Sequence, residues 1–158
     1  MNKQSALLQL HARHAQENTC ELKKAAKQAV FGHGNPAAEI VFIGEAPGKK
    51  EDETGVPFVG AAGKFLDEML ARASLKREDI YVTNIVKYRP PENRDPSPEE
   101  IRACESWLHE ELAFIKPKVI ATLGRYSLNH FIPDAKISEV HGTAFRRDIP
   151  GLGPQVFF

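Results

Sequence analysis

Short, uninterrupted apolar runs alternate with helix-forming segments, and this alternation limits the fold more than any other feature of the sequence. The runs cover residues 39–44, 79–86 and 118–124, and a fourth begins at Gln155. Short apolar runs bounded by Gly and Pro are typical of strands buried on both faces. Because strands that alternate with helices form parallel sheets, we expect an α/β fold. The expected arrangement is a three-layer α/β/α structure with a central parallel four-stranded sheet.

Helical periodicity accounts for much of the sequence between these runs. Apolar side chains at helical spacing predict helices over residues 4–15, 21–29, 61–73, 98–115 and 125–131. The fourth of these has the clearest start, because Ser97, Pro98 and Glu100 form the pattern of a capping box. We find no internal repeat and no low-complexity linker, so we expect a single domain over residues 1–158.

Composition disfavours several classes of protein. The apolar runs are too short to cross a membrane, and the first thirty residues are too polar for a secretory signal. With 21 basic and 21 acidic side chains, the net charge of zero argues against a protein that coats nucleic acid by bulk attraction. Only two cysteines are present, which predicts a cytoplasmic protein with reduced thiols rather than a disulfide framework.

The loops after the first two strands carry the residues best placed for chemistry. Ligands of parallel sheets bind outside the carboxyl ends of the strands, which here are Gly44–Gly48 and Asn84–Arg89. Glu45 lies in the first of these turns and is therefore poised in a cleft. The turn has neither the glycine spacing of a dinucleotide site nor the lysine of a P-loop, which disfavours a small-nucleotide-binding protein.

Two further side chains have open interpretations when each is considered alone. Phe58 is the large aromatic residue of a long, glycine-punctuated loop, where it can stack on a base or pin the loop to the core. Asn84 ends the second strand and offers both an amide donor and a carbonyl acceptor. It can recognise a ligand or cap the loop that follows.

Four motifs, in matching order and spacing, resemble those of family-4 uracil-DNA glycosylases. They are Val30-Phe31-Gly32-x-Gly34-Asn35-Pro36, Gly44-Glu45-Ala46-Pro47-Gly48, Gly55-x-Pro57-Phe58-Val59-Gly60-x-Ala62-Gly63 and Thr83-Asn84-Ile85-Val86-Lys87-x-Arg89-Pro90-Pro91-x-Asn93-Arg94. The resemblance covers the chain from about residue 17 onward, and chance agreement over so many positions is negligible.

The resemblance implies a DNA repair glycosylase that flips uracil out of DNA and hydrolyses its N-glycosidic bond. Phe58 is then the stacking residue, and Asn84 reads the O4 and N3–H edge of uracil. Glu45 is the catalytic residue, which positions the water or stabilises the cation-like sugar, and with Ala46 it contacts uracil. The implied partner of this monomer is uracil-containing DNA. Lys87 and Arg89 either contact DNA phosphates or are solvated loop charges. The same two interpretations apply to Arg94.

The family's metal site is only half present in this sequence. Most family-4 enzymes hold a four-iron–four-sulfur cluster on four cysteines, and the matching positions here are Glu17, Cys20, Tyr88 and Cys104. Carboxylate and phenolate replace thiolate poorly in such clusters. We therefore expect no metal and no cofactor. In their place we expect a hydrogen bond from Tyr88 to Glu17 and packing around the two cysteines.

The sequence also stops before the last motif of the family. Family members carry His-Pro-Ser/Ala just after the strand that begins here at Gln155, and that histidine would donate to uracil O2. We therefore expect the domain to be incomplete at its C-terminus. The alternative function is a non-catalytic uracil- or DNA-binding module that keeps Phe58 and Asn84. A superfamily branch that bonds covalently to abasic DNA ranks low, because the loop over residues 89–98 carries no basic insertion.

Overall fold

The computed structural model describes residues 2–158 and confirms the mixed α/β architecture. Its strands are β1 (His33–Gly34), β2 (Ile40–Gly44), β3 (Tyr81–Asn84), β4 (Val119–Thr122), β5 (Phe145–Ile149) and β6 (Gly153–Phe157). They form one sheet in the order β1-β3-β2-β4-β6-β5. The four inner strands β3, β2, β4 and β6 pair in parallel, which confirms the expected parallel core.

Antiparallel strands at both edges extend this core beyond the expected four strands. β1 pairs with β3, and β5 pairs with β6. β1 has only two residues, and the three central residues of β5 are the exposed Arg146, Arg147 and Asp148. Neither strand carries the apolar alternation that identifies a half-buried strand, so hydrophobic periodicity does not reveal them.

Within residues 2–158 the α-helices are α1 (Lys3–Glu17), α2 (Lys49–Thr54), α3 (Ala61–Arg72), α4 (Pro98–Ile115), α5 (Arg125–Phe131) and α6 (Ile137–Val140). The capping box is confirmed, because the Ser97 side chain accepts from the amide of Glu100 while the Glu100 carboxylate accepts from the amide of Ser97. The helix expected over residues 21–29 is wrong, since only a 3₁₀ turn, Glu21–Lys24, forms there. The amide of Lys27 donates instead to the Asp52 carboxylate at 2.9 Å, which ends helical bonding.

The sheet separates two apolar clusters, and this separation produces the three layers. Along β2, Val41 and Ile43 belong to the cluster that α4 covers, whereas Ile40 and Phe42 pack on the cluster that α3 covers. This is the period-two alternation of a strand. α1 packs against α4 and contributes Leu7 to the same apolar cluster. In the described part of the chain, every helix is too short or too polar to cross a lipid bilayer.

Candidate functional site

A cleft of about 500 Å³ opens at the carboxyl ends of β2 and β3. Its lining contains Glu45, Ala46, Phe58 and Asn84, which are the four residues predicted to bind uracil. The parallel register of the sheet pairs Gly44 directly with Asn84. The topology therefore brings the second and fourth of the glycosylase-like motifs together at one edge of the sheet. We call this site the recognition cleft.

Gly44 allows the close approach of Phe58 and Asn84. A methyl group at position 44 would lie 2.5 Å from Oδ1 of Asn84 and 2.6 Å from Cζ of Phe58. Those two atoms are therefore at most about 5 Å apart. Because carbon atoms make favourable contacts only at roughly 3.5–4.0 Å, a side chain at this position would push the ring and the amide away.

The Phe58 loop is held in place by two charged side chains. Phe58 has a left-handed backbone with φ of 56°, a conformation that costs a non-glycine residue about 1–2 kcal/mol. Oε1 of Glu51 accepts from the amides of Val59 at 3.0 Å and Gly60 at 2.7 Å. Nη2 of Arg77 donates to the Phe58 carbonyl at 2.7 Å, and its guanidinium lies 6.0 Å from the centroid of the ring. The contacts of Glu51 and Arg77 with this loop thus fix the position of the Phe58 ring without a ligand.

Glu45 lies half-buried in the lining, one residue after the end of β2. Burial raises the pKa of its carboxyl group, the charge of Asp95 adds to this effect, and Arg125 opposes it. The Glu45 carbonyl accepts from the amide of Val86 at 3.1 Å, so the turn is tied to the segment that follows β3. A carboxyl group in such a setting can orient a water molecule or, when ionised, face a developing positive charge.

Cations line the mouth of the cleft. Lys49 and Lys50, at the start of α2, contribute to its lining together with Arg94, whose guanidinium binds both oxygens of Glu100 at 2.7 and 2.8 Å. The two lysines were not predicted as site residues. Their signal in the sequence is the Lys-Lys pair directly after the Gly48 turn, at a strand end where ligands bind.

The expected phosphate contact of Lys87 is corrected by its position. The residue is 2% exposed, and its ammonium nitrogen lies 2.7 Å from Oε2 of Glu111 and 2.8 Å from the carbonyl oxygen of Asn84. It also donates to the Thr83 hydroxyl. An ammonium group has three protons, and all three are used inside the protein. Lys87 therefore fixes the end of β3 from within.

Arg89 differs from Lys87 because it is only half-buried. Its Nε donates to Oδ1 of Asn93 at 2.7 Å, and Asn93 lies in the lining of the cleft. The contact of Arg89 with DNA stays a prediction.

Glu111 is the buried partner that sequence reasoning missed. It lies on the inner stripe of α4 and accepts from the Tyr81 hydroxyl at 2.8 Å and from Thr83 at 3.0 Å, as well as from Lys87. Burial opposes ionisation, but the charge of Lys87 and the hydrogen bonds hold the pKa of Glu111 well below its usual range. A carboxylate on the apolar stripe of a helix is the signal that points to such a partner.

The positions that match the family's iron–sulfur ligands come together only in part. The thiols of Cys20 and Cys104 are buried, free and hydrogen-bonded to each other, and Tyr88 packs in the same apolar core. We call these three residues the cysteine–tyrosine cluster. Glu17 is exposed, and the Tyr88 hydroxyl has no hydrogen-bond partner among residues 2–158. The expected hydrogen bond between Tyr88 and Glu17 is therefore wrong, because the Glu17 side chain turns to solvent at the end of α1.

These donors do not fit a four-iron–four-sulfur cluster. Burial, together with the neighbouring cysteines, raises the pKa of Tyr88 to about 12, so its phenol stays neutral and is no anionic ligand. Two buried thiols remain where the cluster needs four soft donors.

His14 fills the space beside Tyr88. The histidine is 1% exposed, its ring stacks on Tyr88 at 5.6 Å, and Trp107 meets it edge-on at 5.0 Å. Burial and then the charge of Lys87 lower the pKa of His14 to about 3. The imidazole is therefore neutral at physiological pH and packs as a flat, largely apolar ring.

Comparisons with known proteins agree with this geometry. The chain is 56% identical over 108 residues to the type-4 uracil-DNA glycosylase of Archaeoglobus fulgidus, a match that covers 68% of this chain and 54% of that relative. It is 45% identical over 144 residues to the type-4 enzyme of Saccharolobus solfataricus, with 87% and 67% covered. For the type-4 enzyme of Pyrobaculum aerophilum, the identity is 39% over 151 residues, with 92% and 77% covered.

The chain spans little more than half the length of the first of these relatives. Residues 31–155 match the family model described as "Uracil DNA glycosylase superfamily", and this range includes the whole recognition cleft. The chain therefore belongs to the uracil-DNA glycosylase superfamily, and its similarity to three type-4 enzymes places it with that family.

Proposed function

We propose that this protein is a uracil-DNA glycosylase, which binds a uracil flipped out of DNA and hydrolyses its N-glycosidic bond. The observation that carries the proposal is the position of the Phe58 ring and the Asn84 amide, both against Gly44, in a cleft that Glu45 also lines. The relatives named as type-4 uracil-DNA glycosylases support it.

In the proposed complex, the uracil ring stacks on Phe58 while its polar edge meets Asn84. The side-chain oxygen of Asn84 accepts from N3–H, and the amide nitrogen donates to O4. Cytosine presents an amino group in place of O4 and an unprotonated N3, so the same orientation of the amide would leave both groups mismatched. The hydrogen bond from Lys87 to the Asn84 carbonyl supports this function, because it fixes the backbone that carries the amide.

Bond cleavage leaves negative charge on the departing uracil and positive character on the sugar. We assign Glu45 to the sugar side, where its carboxylate orients the attacking water or stabilises the cation-like sugar. Water adds its oxygen to the anomeric carbon, the N-glycosidic bond breaks, and a proton is left for the base. We assign the backbone amide of Ala46, which lines the same cleft, to donating to the departing uracil.

Uracil-containing DNA is the proposed partner. Lys49, Lys50 and Arg94 are the proposed phosphate contacts at the cleft, together with Arg89, which donates to the lining residue Asn93. Since the net charge of the chain is zero, these local cations carry the attraction to DNA. We further propose a monomer in the cytoplasm, a compartment that the two free thiols favour.

We also propose that the protein works without an iron–sulfur cluster. The neutral phenol of Tyr88 and the exposed Glu17 support this view, since neither supplies a thiolate. A visible absorbance band that scales with iron content, in protein purified without oxygen, would contradict it.

One assay tests the function directly. An end-labelled oligonucleotide with a single uracil is incubated with the protein, and abasic sites are then cleaved with alkali. We expect strand breaks at uracil and none in the matching thymine oligonucleotide. In Asn84→Ala, we expect the rate of uracil excision to fall at least about 100-fold, because no side chain then forms hydrogen bonds to the polar edge of the base. Gln16→Ala, which removes an exposed amide on α1, is the matched control. Binding without strand breaks would instead support the non-catalytic module.

A further inference from the structure

Glu105, His109 and His130 form a cluster of side chains that the proposed glycosylase chemistry does not use. Each of the three offers one ligand atom, and these atoms all lie within 4.8 Å of one another. None of the three residues lines the recognition cleft. The cluster is therefore separate from the site described above.

The helices explain why these side chains meet. Glu105 and His109 are four residues apart on α4, a spacing that places them on the same face of a helix. His130 comes from the last turn of α5. The centroids of the two imidazole rings are 5.7 Å apart, and the ring planes are nearly perpendicular at 84°.

One nitrogen of the cluster lacks a partner. Nε2 of His130 is buried and makes no hydrogen bond to any of residues 2–158. Buried polar atoms in proteins are almost always paired, so an unpaired ring nitrogen needs an explanation. Packing on Phe131, whose ring centroid lies 4.8 Å from that of His130, explains the burial of the imidazole. It gives Nε2 no partner.

We propose that Glu105, His109 and His130 bind a divalent transition metal ion, of which Zn²⁺ fits best. Two imidazoles and one carboxylate are ligands for zinc, whereas Mg²⁺ and Ca²⁺ take mainly oxygen ligands. Ligand atoms about 2.0–2.1 Å from a tetrahedral ion lie roughly 3.3 Å from each other. The carboxylate of Glu105 can rotate toward the two imidazoles, because this side chain is exposed. Water completes the fourth position.

The ion would tie α4 to α5. α5 directly follows β4. α4 packs on β2 through the buried apolar residues of its inner face. A metal bridge would therefore hold two successive crossover helices together and raise thermal stability without taking part in base removal. The proposal does not depend on the glycosylase function.

Zn²⁺ titration of the chelator-treated 158-residue chain tests the site, with Co²⁺ as a spectroscopic probe. We expect one equivalent of Zn²⁺ to bind and to raise the melting temperature. Co²⁺ is expected to give the intense visible bands of a four-coordinate ion. His130→Phe, which keeps the aromatic packing on Phe131, is expected to weaken Zn²⁺ binding at least about 100-fold, comparable with or above the losses seen when groups supporting a metal ligand are removed.

Glu105→Gln is the second variant, because an exposed side chain can be changed without disturbing the core. It is expected to weaken Zn²⁺ binding about tenfold or more. His141→Phe, at an exposed histidine outside the cluster, is the matched control and should bind as the parent does. Absence of Zn²⁺ binding overturns the proposal. So does binding that His130→Phe and Glu105→Gln leave unchanged, since the ion would then sit elsewhere, for example on the thiols.

Discussion

The recognition cleft and the cysteine–tyrosine cluster lie at the two ends of one short segment. They differ in how many residues of the family's motifs each one retains. Asn84 ends β3 in the cleft, and Tyr88, four residues later, packs beside Cys20 and Cys104. The cleft keeps, in its lining, the four residues within this chain that the resemblance assigns to uracil. At the cluster, two of the four expected thiolates are replaced, and the space is filled by apolar packing and a neutral histidine.

The difference follows from what each region has to do. Reading a base edge needs particular donors and acceptors at fixed positions, so Asn84 has few substitutes. Holding two elements together needs mainly well-packed apolar volume, and many combinations of side chains supply that. Lys87 lies between the two regions and is the most direct point at which to test how far they are coupled.

Breaking the ion pair beneath Asn84 is expected to have the largest effect. Lys87→Met leaves the Glu111 carboxylate buried and unpaired, which should lower the free energy of unfolding by about 3–5 kcal/mol. Urea denaturation of the parent and of Lys87→Met measures this difference in the free energy of unfolding. Lys87→Met combined with Glu111→Gln should recover at least half of the loss, while Lys64→Met, at an exposed lysine on α3, is the control. A loss below about 1 kcal/mol would show that packing at the cysteine–tyrosine cluster alone holds this segment.

A methyl group at Gly44 is expected to act on the cleft alone. Gly44→Ala places a carbon within 2.6 Å of both Phe58 and Asn84, so the two must separate. A displacement of about 1 Å can cost 100-fold in rate, and we expect that loss or more in uracil excision. Gly142→Ala is the control for a general loss of stability, because it strains a backbone with φ of 73° while its added carbon meets nothing within 4 Å. Excision within about threefold of the parent would show that the cleft does not depend on this contact.

Acid is expected to act on the cluster side through His14. Its folded-state pKa of about 3 lies below the ordinary value of 6.5, so the unfolded chain binds the proton first as the pH falls. The free energy of unfolding is therefore fully retained above pH 6.5 and declines toward pH 3. At pH 5 the loss from this residue is about 2 kcal/mol.

His14→Phe should flatten that decline, because phenylalanine keeps the ring and removes the titration. Denaturation midpoints at pH 7.5 and 5 give the comparison, with His141→Phe as the exposed-histidine control. An equal decline in parent and His14→Phe would mean that the histidine is not held neutral.

Much of the fold could be predicted from the sequence, because β2, β3 and β4 are apolar runs and α4 begins at a capping box. The meeting of Glu45, Phe58 and Asn84 followed from the rule that parallel strands share one functional edge. The burial of Lys87 did not, since a lysine after a strand is ordinarily solvated, and its partner Glu111 lies 24 residues away on another element. The place of Glu111 on the apolar stripe of α4 indicates a buried partner, but the sequence does not say which side chain that partner is.

The Tyr88–Glu17 hydrogen bond failed for a related reason. Two positions that share a metal in relatives need not touch each other once the metal ligands are replaced, because a ligand's position is set by the ion and not by its neighbour. The sequence contains the replaced residues but not the direction in which their side chains turn.

The Lys87–Glu111 ion pair also has a consequence for heat. The cost of withdrawing charges from water falls as temperature rises, whereas the contribution of apolar contacts levels off. On warming, the contribution of the Lys87–Glu111 ion pair to stability therefore rises relative to that of the apolar packing around Tyr88. The segment that carries the amide is expected to stay ordered at temperatures where the neighbouring apolar region has begun to loosen.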